Sequence, residues 1–252
     1  DAVVAESSRE KRQNDWLREV LSAHGVQRLG FEEHWISYAA FGQLQTAFPG
    51  LTLVPAQALL DQLRMVKRPE ELACMRQAQA IAEAALERVL PQIRPGVSER
   101  EIAAELSYQM LRLGAEGNSF DPIVVAGKKS SMPHGVPGDE TIAPGDFVTM
   151  DFGCLKGGYC SDMTRTVAVG HASEEMRRVY DTVLRAQEAG IAAARAGVEG
   201  HLVHAAGEAV IESAGYGGCF GHGFGHGLGL EIHEAPNFSP GETRLIPAGA
   251  VL

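Results

Sequence analysis

The stretch Asp151-Phe-Gly-Cys-Leu-Lys-Gly-Gly-Tyr-Cys-Ser-Asp162 decides how the chain is read. Phe147 to Met150 before it and Met163 to Val169 after it are rich in Val, Thr and Met. Lys156-Gly157-Gly158 between them is a turn signal, so the segment is predicted to be a β-hairpin. A turn centred between Lys156 and Gly157 sets Asp151 opposite Asp162 and Thr149 opposite Thr164. Opposed positions hold their Cβ atoms about 4.5–5.5 Å apart, and two carboxylates at that spacing repel each other. A shared proton or a bridging cation would relieve the repulsion. The bland alternative is a solvated hairpin carrying two harmless acids.

Outward from the hairpin, one pattern occurs twice. Pro69 stands at the first position of a predicted helix that runs to about Leu90, with Glu70 and Glu71 in its first turn, where the helix dipole favours anions. Ser98-Glu-Arg-Glu101 is a capping box that opens a second helix, ending at Gly114. Ser173 to Ala196 is a further long helix, and another follows it to Gly215. Gly96 and Gly197, Val97 and Val198, and Gly114 and Gly215 all stand 101 positions apart. The middle of the chain therefore reads as two copies of helix, Gly-Val turn, helix, Gly, strand, with pseudo-twofold halves aiming their loops into one cleft. Two ordinary capped helical hairpins are the plainer reading. After the first copy, Phe120 to Gly127 is strand-like, and a polar loop from Lys128 to Gly138 carries His134.

The second copy leads into Gly221-His-Gly-Phe-Gly-His-Gly-Leu-Gly-Leu-Glu-Ile-His-Glu-Ala-Pro236. Each interior glycine would cost a helix about 1 kcal/mol, so an extended run is expected, with His222, Phe224, His226, Leu228 and Leu230 on one face. One neutral imidazole from this run beside Asp151 and Asp162 makes a mixed nitrogen and oxygen site suited to Mn, Zn, Co or Fe. Two divalent ions need more negative charge than two aspartates and a hydroxide supply, so one or two further carboxylates are expected. Glu231, Glu234 and Glu242 are present, but nothing in the sequence marks them as ligands.

Before residue 66 the chain alternates helical and strand-like pieces. A helix is expected over Ser8–Ala23, with Trp16, Leu17, Val20 and Leu21 on one face. Strands are expected at Val26–Phe31 and Leu51–Val54, with a helix from Trp35 to Phe48 between them. Arg64 to Pro69 reads as a linker. The 252 residues are 45% hydrophobic, enough for one large domain or two smaller ones, and a net charge of −10 without a basic stripe argues against a nucleic-acid partner. No apolar run has the length of a membrane span, and no signal peptide opens the chain. Cys74, Cys154, Cys160 and Cys219 form no CxxC pair and are expected to be free thiols in a reducing cytosol.

These motifs together resemble the Xaa-Pro peptidases (prolidases and Xaa-Pro aminopeptidases) of the pita-bread metallopeptidase superfamily. Asp151 and Asp162 lie in what resembles that family's two-aspartate motif, and Gly221 to Pro236 resembles its histidine motif. Pro133-His134-Gly135 resembles its upstream histidine loop, and Leu63 to Leu72 its junction into the catalytic domain. The resemblance implies an α/β (α+β) chain: a partial creatinase-type N-terminal domain over 1–66 and a pita-bread catalytic domain with a pseudo-twofold repeat over 67–252. It implies that Asp151, Asp162 and His226 bind two divalent metals, most readily Mn, with Zn or Co as options, and that Asp162 bridges them. His233 would steady the carbonyl oxygen, His134 would handle the proton of the leaving amine, and His222 would shape the proline-side pocket. It further implies hydrolysis of Xaa-Pro bonds in dipeptides or short peptides by a cytoplasmic homodimer with no membrane or nucleic-acid partner. The family's two glutamate ligands are expected beyond Leu252, so the chain reads as a fragment cut within an apolar strand, Ala248–Leu252. An inactive pita-bread scaffold for protein binding and a methionine aminopeptidase are the alternatives.

Overall fold

The computed structural model of the protein describes residues 11–252, which divide into two compact units between Leu63 and Arg64. Positions 8–10 of the first expected helix lie outside the described residues. The helix itself is α1, Gln13–Ala23. Next come β1, Arg28–Phe31, α2, Tyr38–Ala47, and β2, Thr52–Pro55. Strands β1 and β2 pair in parallel, with α2 as the crossover that a parallel pair requires. Ser37 caps α2, its hydroxyl accepting the Ala40 amide at 3.1 Å. Helix α3, Gln57–Met65, takes up the start of the stretch expected to be a linker. Its sequence, QALLDQLRM, is made almost wholly of strong helix formers.

The second unit begins with α4, Pro69–Val89, a short 3-10 turn at Leu90–Gln92, and α5, Glu99–Arg112. The capping box closes as expected: the Ser98 hydroxyl accepts the Glu101 amide at 3.2 Å, and the Glu101 carboxylate accepts the Ser98 amide at 2.8 Å. Strands β3, Gly117–Asn118, β4, Ile123–Ala126, β5, Phe147–Phe152, β6, Cys154–Lys156, β7, Tyr159–Cys160, and β8, Met163–Ala168, form two antiparallel sheets of order β4-β5-β8 and β3-β6-β7. Buried Ala78, Ala82, Ala85 and Val89 of α4 and Ile102, Leu106 and Met110 of α5 cluster with Val124, Val148, Met150 and Phe152 of the strands to form the main core. Helices α6, Glu174–Ala193, and α7, Gly200–Ile211, follow. A hairpin of β9, Gly225–Gly227, and β10, Glu234–Phe238, completes the set.

The repeat is visible in the backbone bonding. The Gly96 amide donates to the Ile142 carbonyl, and the Gly197 amide to the Ile246 carbonyl, both at 2.9 Å. Ile142 and Ile246 donate back to Val97 and Val198, again both at 2.9 Å. Ser98 bridges Thr141, and Glu199 bridges Leu245. Gly96 and Gly197 have φ of +90° and +83°, the left-handed region that admits glycine at little cost. Ala248–Leu252 is not a strand. Residues 248 and 249 turn, with φ +86° at Gly249, and Ala250 bridges Val66. This repeats the turn at Gly145, φ +87°, that leads into β5.

Candidate metal centre

The hairpin forms, with a different register from the one expected. Gly157 and Gly158, at φ +58° and +76°, are the two turn residues, and Lys156 pairs with Tyr159. A pair of positive-φ residues gives the turn whose twist matches the flanking strands. The Glu116 carboxylate accepts both turn amides, at 2.9 and 3.0 Å. Asp151 consequently faces Thr164, not Asp162, and Thr149 faces Thr166, not Thr164. The Thr164 hydroxyl donates to Asp151 Oδ1 at 2.8 Å.

Asp162 lies two residues from Thr164, on the same face, and so reaches Asp151 along the diagonal. Diagonal neighbours lie about 7–8 Å apart at their backbones, within reach of side chains. The two carboxyls lie close enough for each to shift the other's titration. Burial pushes the Asp151 carboxyl up, the Thr164 hydroxyl opposes this, and the Asp162 charge adds to it. Burial also raises Asp162, against the pull of His226.

Between Gly221 and Leu230 the histidine run is extended only over Gly225–Gly227, so the single face expected for His222 through Leu230 does not form. Phe224 and His226 part company. The Phe224 ring fills the space that side chains at Gly190 of α6 and Gly207 of α7 would need, where the two helices cross. His226 turns toward the acids, with Nε2 3.5 Å from Asp162 Oδ2. His233 stands edge-on to His226, with ring centroids 4.3 Å apart. Burial, then the neighbouring His226 and His134, hold His233 below the usual imidazole range, which favours its neutral form. His134 is exposed in its loop.

Four of the six expected site residues therefore meet, Asp151, Asp162, His226 and His233, while His134 stands exposed on its loop. His222 does not join them. Its ring is exposed, with Nδ1 2.8 Å from the Gly223 carbonyl, and it stands edge-on to Phe220 at 4.8 Å. The three acids that the sequence left open are engaged by cations. Arg64 holds Glu231 at 2.7 Å and Glu234 at 2.9 Å, Lys67 holds Glu234 at 2.9 Å, and Arg244 holds Glu242 at 2.5 Å. Thr164 was missed as a contact of the site because the expected register gave it to Thr149. The donor chemistry suits a divalent ion: two half-buried carboxyls whose burial raises their cost of ionisation, and an imidazole beside them. The groups close on one another, and among the described residues no three are spaced as a ready set of ligands about one point.

Comparison with known proteins identifies the family. Residues 73–252 match the model of metallopeptidase family M24, and residues 1–66 match that of the creatinase/prolidase N-terminal domain. The chain is 39% identical over 234 residues to the uncharacterised peptidase YqhT of Bacillus subtilis, covering 93% of this chain and 66% of that protein. It is 39% identical over 194 residues to the Xaa-Pro dipeptidase of Pyrococcus furiosus, covering 77% of this chain and 56% of that one. The crystal structure of the X-Pro aminopeptidase from Thermotoga maritima superposes with a TM-score of 0.88 at 38% identity, over 94% of this chain and 67% of that one. The chain thus spans 56% to 66% of the length of those two curated relatives. With its acid pair and its histidine run both falling inside the matched span, the chain belongs to metallopeptidase family M24.

Proposed function

We propose that the whole protein is a dinuclear metallo-exopeptidase that hydrolyses the Xaa-Pro bond of dipeptides or short peptides. The observation that carries this reading is the meeting of Asp151, Asp162, His226 and His233 from two distant stretches of the chain. The Xaa-Pro dipeptidases and aminopeptidases among its relatives support the choice of substrate. Asp151, Asp162 and His226 would hold the metals, two manganese ions in preference to zinc or cobalt, with Asp162 shared between them. Divalent ions bound there would supply a water acidic enough to attack near neutral pH and would polarise the scissile carbonyl. His233, neutral and fixed against His226, donates a hydrogen bond to the oxygen on which charge develops. His134, on its exposed loop, passes a proton to the leaving proline nitrogen. His222, which stands apart beside Phe220, is given no part in the reaction. A cytoplasmic homodimer is proposed with this activity. Among the described residues no helix is long and apolar enough to cross a membrane.

The test is Asp162→Asn in the full-length protein. Activity on Xaa-Pro dipeptides and bound manganese, measured by elemental analysis, should disappear together. Unchanged metal content and turnover would refute the site. Cleavage of Met-Ala in place of Xaa-Pro peptides would move the protein to the methionine aminopeptidases. An inactive scaffold for protein binding is the other reading. Purified wild-type protein that retains no metal would decide for it.

A further inference from the structure

The loop between His226 and His233 rests on a buried ion pair from the far end of the unit. Lys67 Nζ donates to Glu234 Oε2 at 2.9 Å, and the two side chains are 2% and 6% exposed. The other oxygen, Oε1, accepts Arg64 Nη2 at 2.9 Å and Nε at 3.2 Å, and also the Glu231 amide at 3.2 Å. One carboxylate therefore closes the loop on itself and ties it to residues 64–67. A buried charge is held in this way only when every lone pair finds a donor. Gly229 lies directly on the pair. A Cβ there would be 2.5 Å from Glu234 Oε2 and 2.8 Å from Lys67 Cε. From the other side the Cys160 amide, two residues before Asp162, donates to the Gly229 carbonyl at 2.7 Å.

From this geometry we infer that Lys67 and Glu234 are positioning residues: their buried pair sets the loop so that the His233 imidazole stands against His226. The pair touches no reacting group. It acts through His233, the residue adjacent to Glu234. The inference rests on the proposed peptidase reading for its kinetic consequence but not for its structural one. Misplacing a catalytic group by a fraction of its working distance costs about a hundredfold in rate.

The experiment uses the full-length protein loaded with manganese. Lys67→Met should lower kcat about a hundredfold while bound manganese stays as in the wild type. In a His233→Ala background the same change should cost less than about twofold, because a residue that acts through His233 has nothing left to act on. An equal loss in both backgrounds would make the pair a mere stabiliser and overturn the inference, as would loss of metal. If Lys67→Met does not fold, Gly229→Ala displaces the pair with a single methyl group and is read against the same criteria. In imidazole NMR spectra of the metal-free full-length protein, where no paramagnetic ion broadens the lines, the His233 ring signals should move in either variant while those of His222 stay. Unmoved His233 signals would overturn the inference. A wild type inactive on Xaa-Pro peptides would refute the peptidase reading and leave these spectra to decide the positioning role.

Discussion

The two helical hairpins, α4–α5 and α6–α7, share a backbone frame and fill it differently. Gly96 and Gly197 donate to matching carbonyls at the same 2.9 Å, yet the side chains inside the two frames have little in common. The first hairpin packs Ala82, Val89, Ile102, Leu106 and Met110 against a sheet, all nearly inaccessible. In the second, the position 101 after Leu106 is Gly207, and Gly190 lies across from it. One ring, Phe224, fills what both leave open. Its buried cluster is small, Val203, Phe238 and Ile246. The carboxylates differ too. Glu99, at the start of α5, is inaccessible and accepts the Ala126 amide at 2.7 Å, the Gly138 amide at 3.0 Å and Lys129 Nζ at 2.6 Å. In the second copy the matching position is Gly200, and Glu242 reaches in from the following loop to pair with Arg244. Hydrogen-bond register carries the repeat, and packing is free to diverge around it. The second copy uses that freedom to lead from a helix crossing into the histidine run.

Substitutions at matched positions test how far this divergence goes. The largest effect is expected for Leu106→Ala, about 4 kcal/mol of stability by denaturant titration, because a wholly buried side chain in the main core leaves a cavity. Glu99→Ala should cost about 3 kcal/mol, since two buried amides lose their acceptor while Lys129 can turn to solvent. Glu242→Ala should cost less, because its partner Arg244 is 55% exposed. Gly207→Ala should cost about 2 kcal/mol by forcing a methyl group into the Phe224 ring, and a Phe224→Leu background should recover part of it. The smallest effect is a matched pair: Gly96→Ala and Gly197→Ala should each cost about 1 kcal/mol, and equally, because both sit at the same positive φ with open space around them. Unequal costs would mean that the two frames are not equivalent.

What could be read from the sequence was what local chemistry specifies. The Ser98–Glu101 capping box and the Gly-Val turns at 96 and 197 depend on neighbours within a few residues. The expectation that Asp151 and Asp162 meet an imidazole of the Gly-rich run came from the residues, whereas the choice of His226 and the place of His233 came from the family resemblance. The hairpin register was not, because Lys156-Gly157-Gly158 contains two overlapping turn frames. The chain uses the frame in which both residues tolerate positive φ. The fates of Glu231 and Glu234 were hidden as well, because the cations that engage them lie some 167 to 170 residues away in sequence. His222 shows the converse limit. Its spacing from His226 suggested a shared face, but three glycines within five residues let the backbone leave the extended path.

The Gly157–Gly158 turn has a consequence for what changes in length the hairpin tolerates. Asp162 reaches Asp151 along the diagonal because two residues cross between the strands. One residue more or fewer would send the Asp162 carboxyl to the opposite side of the sheet, however faithfully both acids were retained. Insertions and deletions at this tip should therefore inactivate the protein as surely as loss of an aspartate, whereas exchanges of residue type there, provided positive φ is kept, leave the acids together.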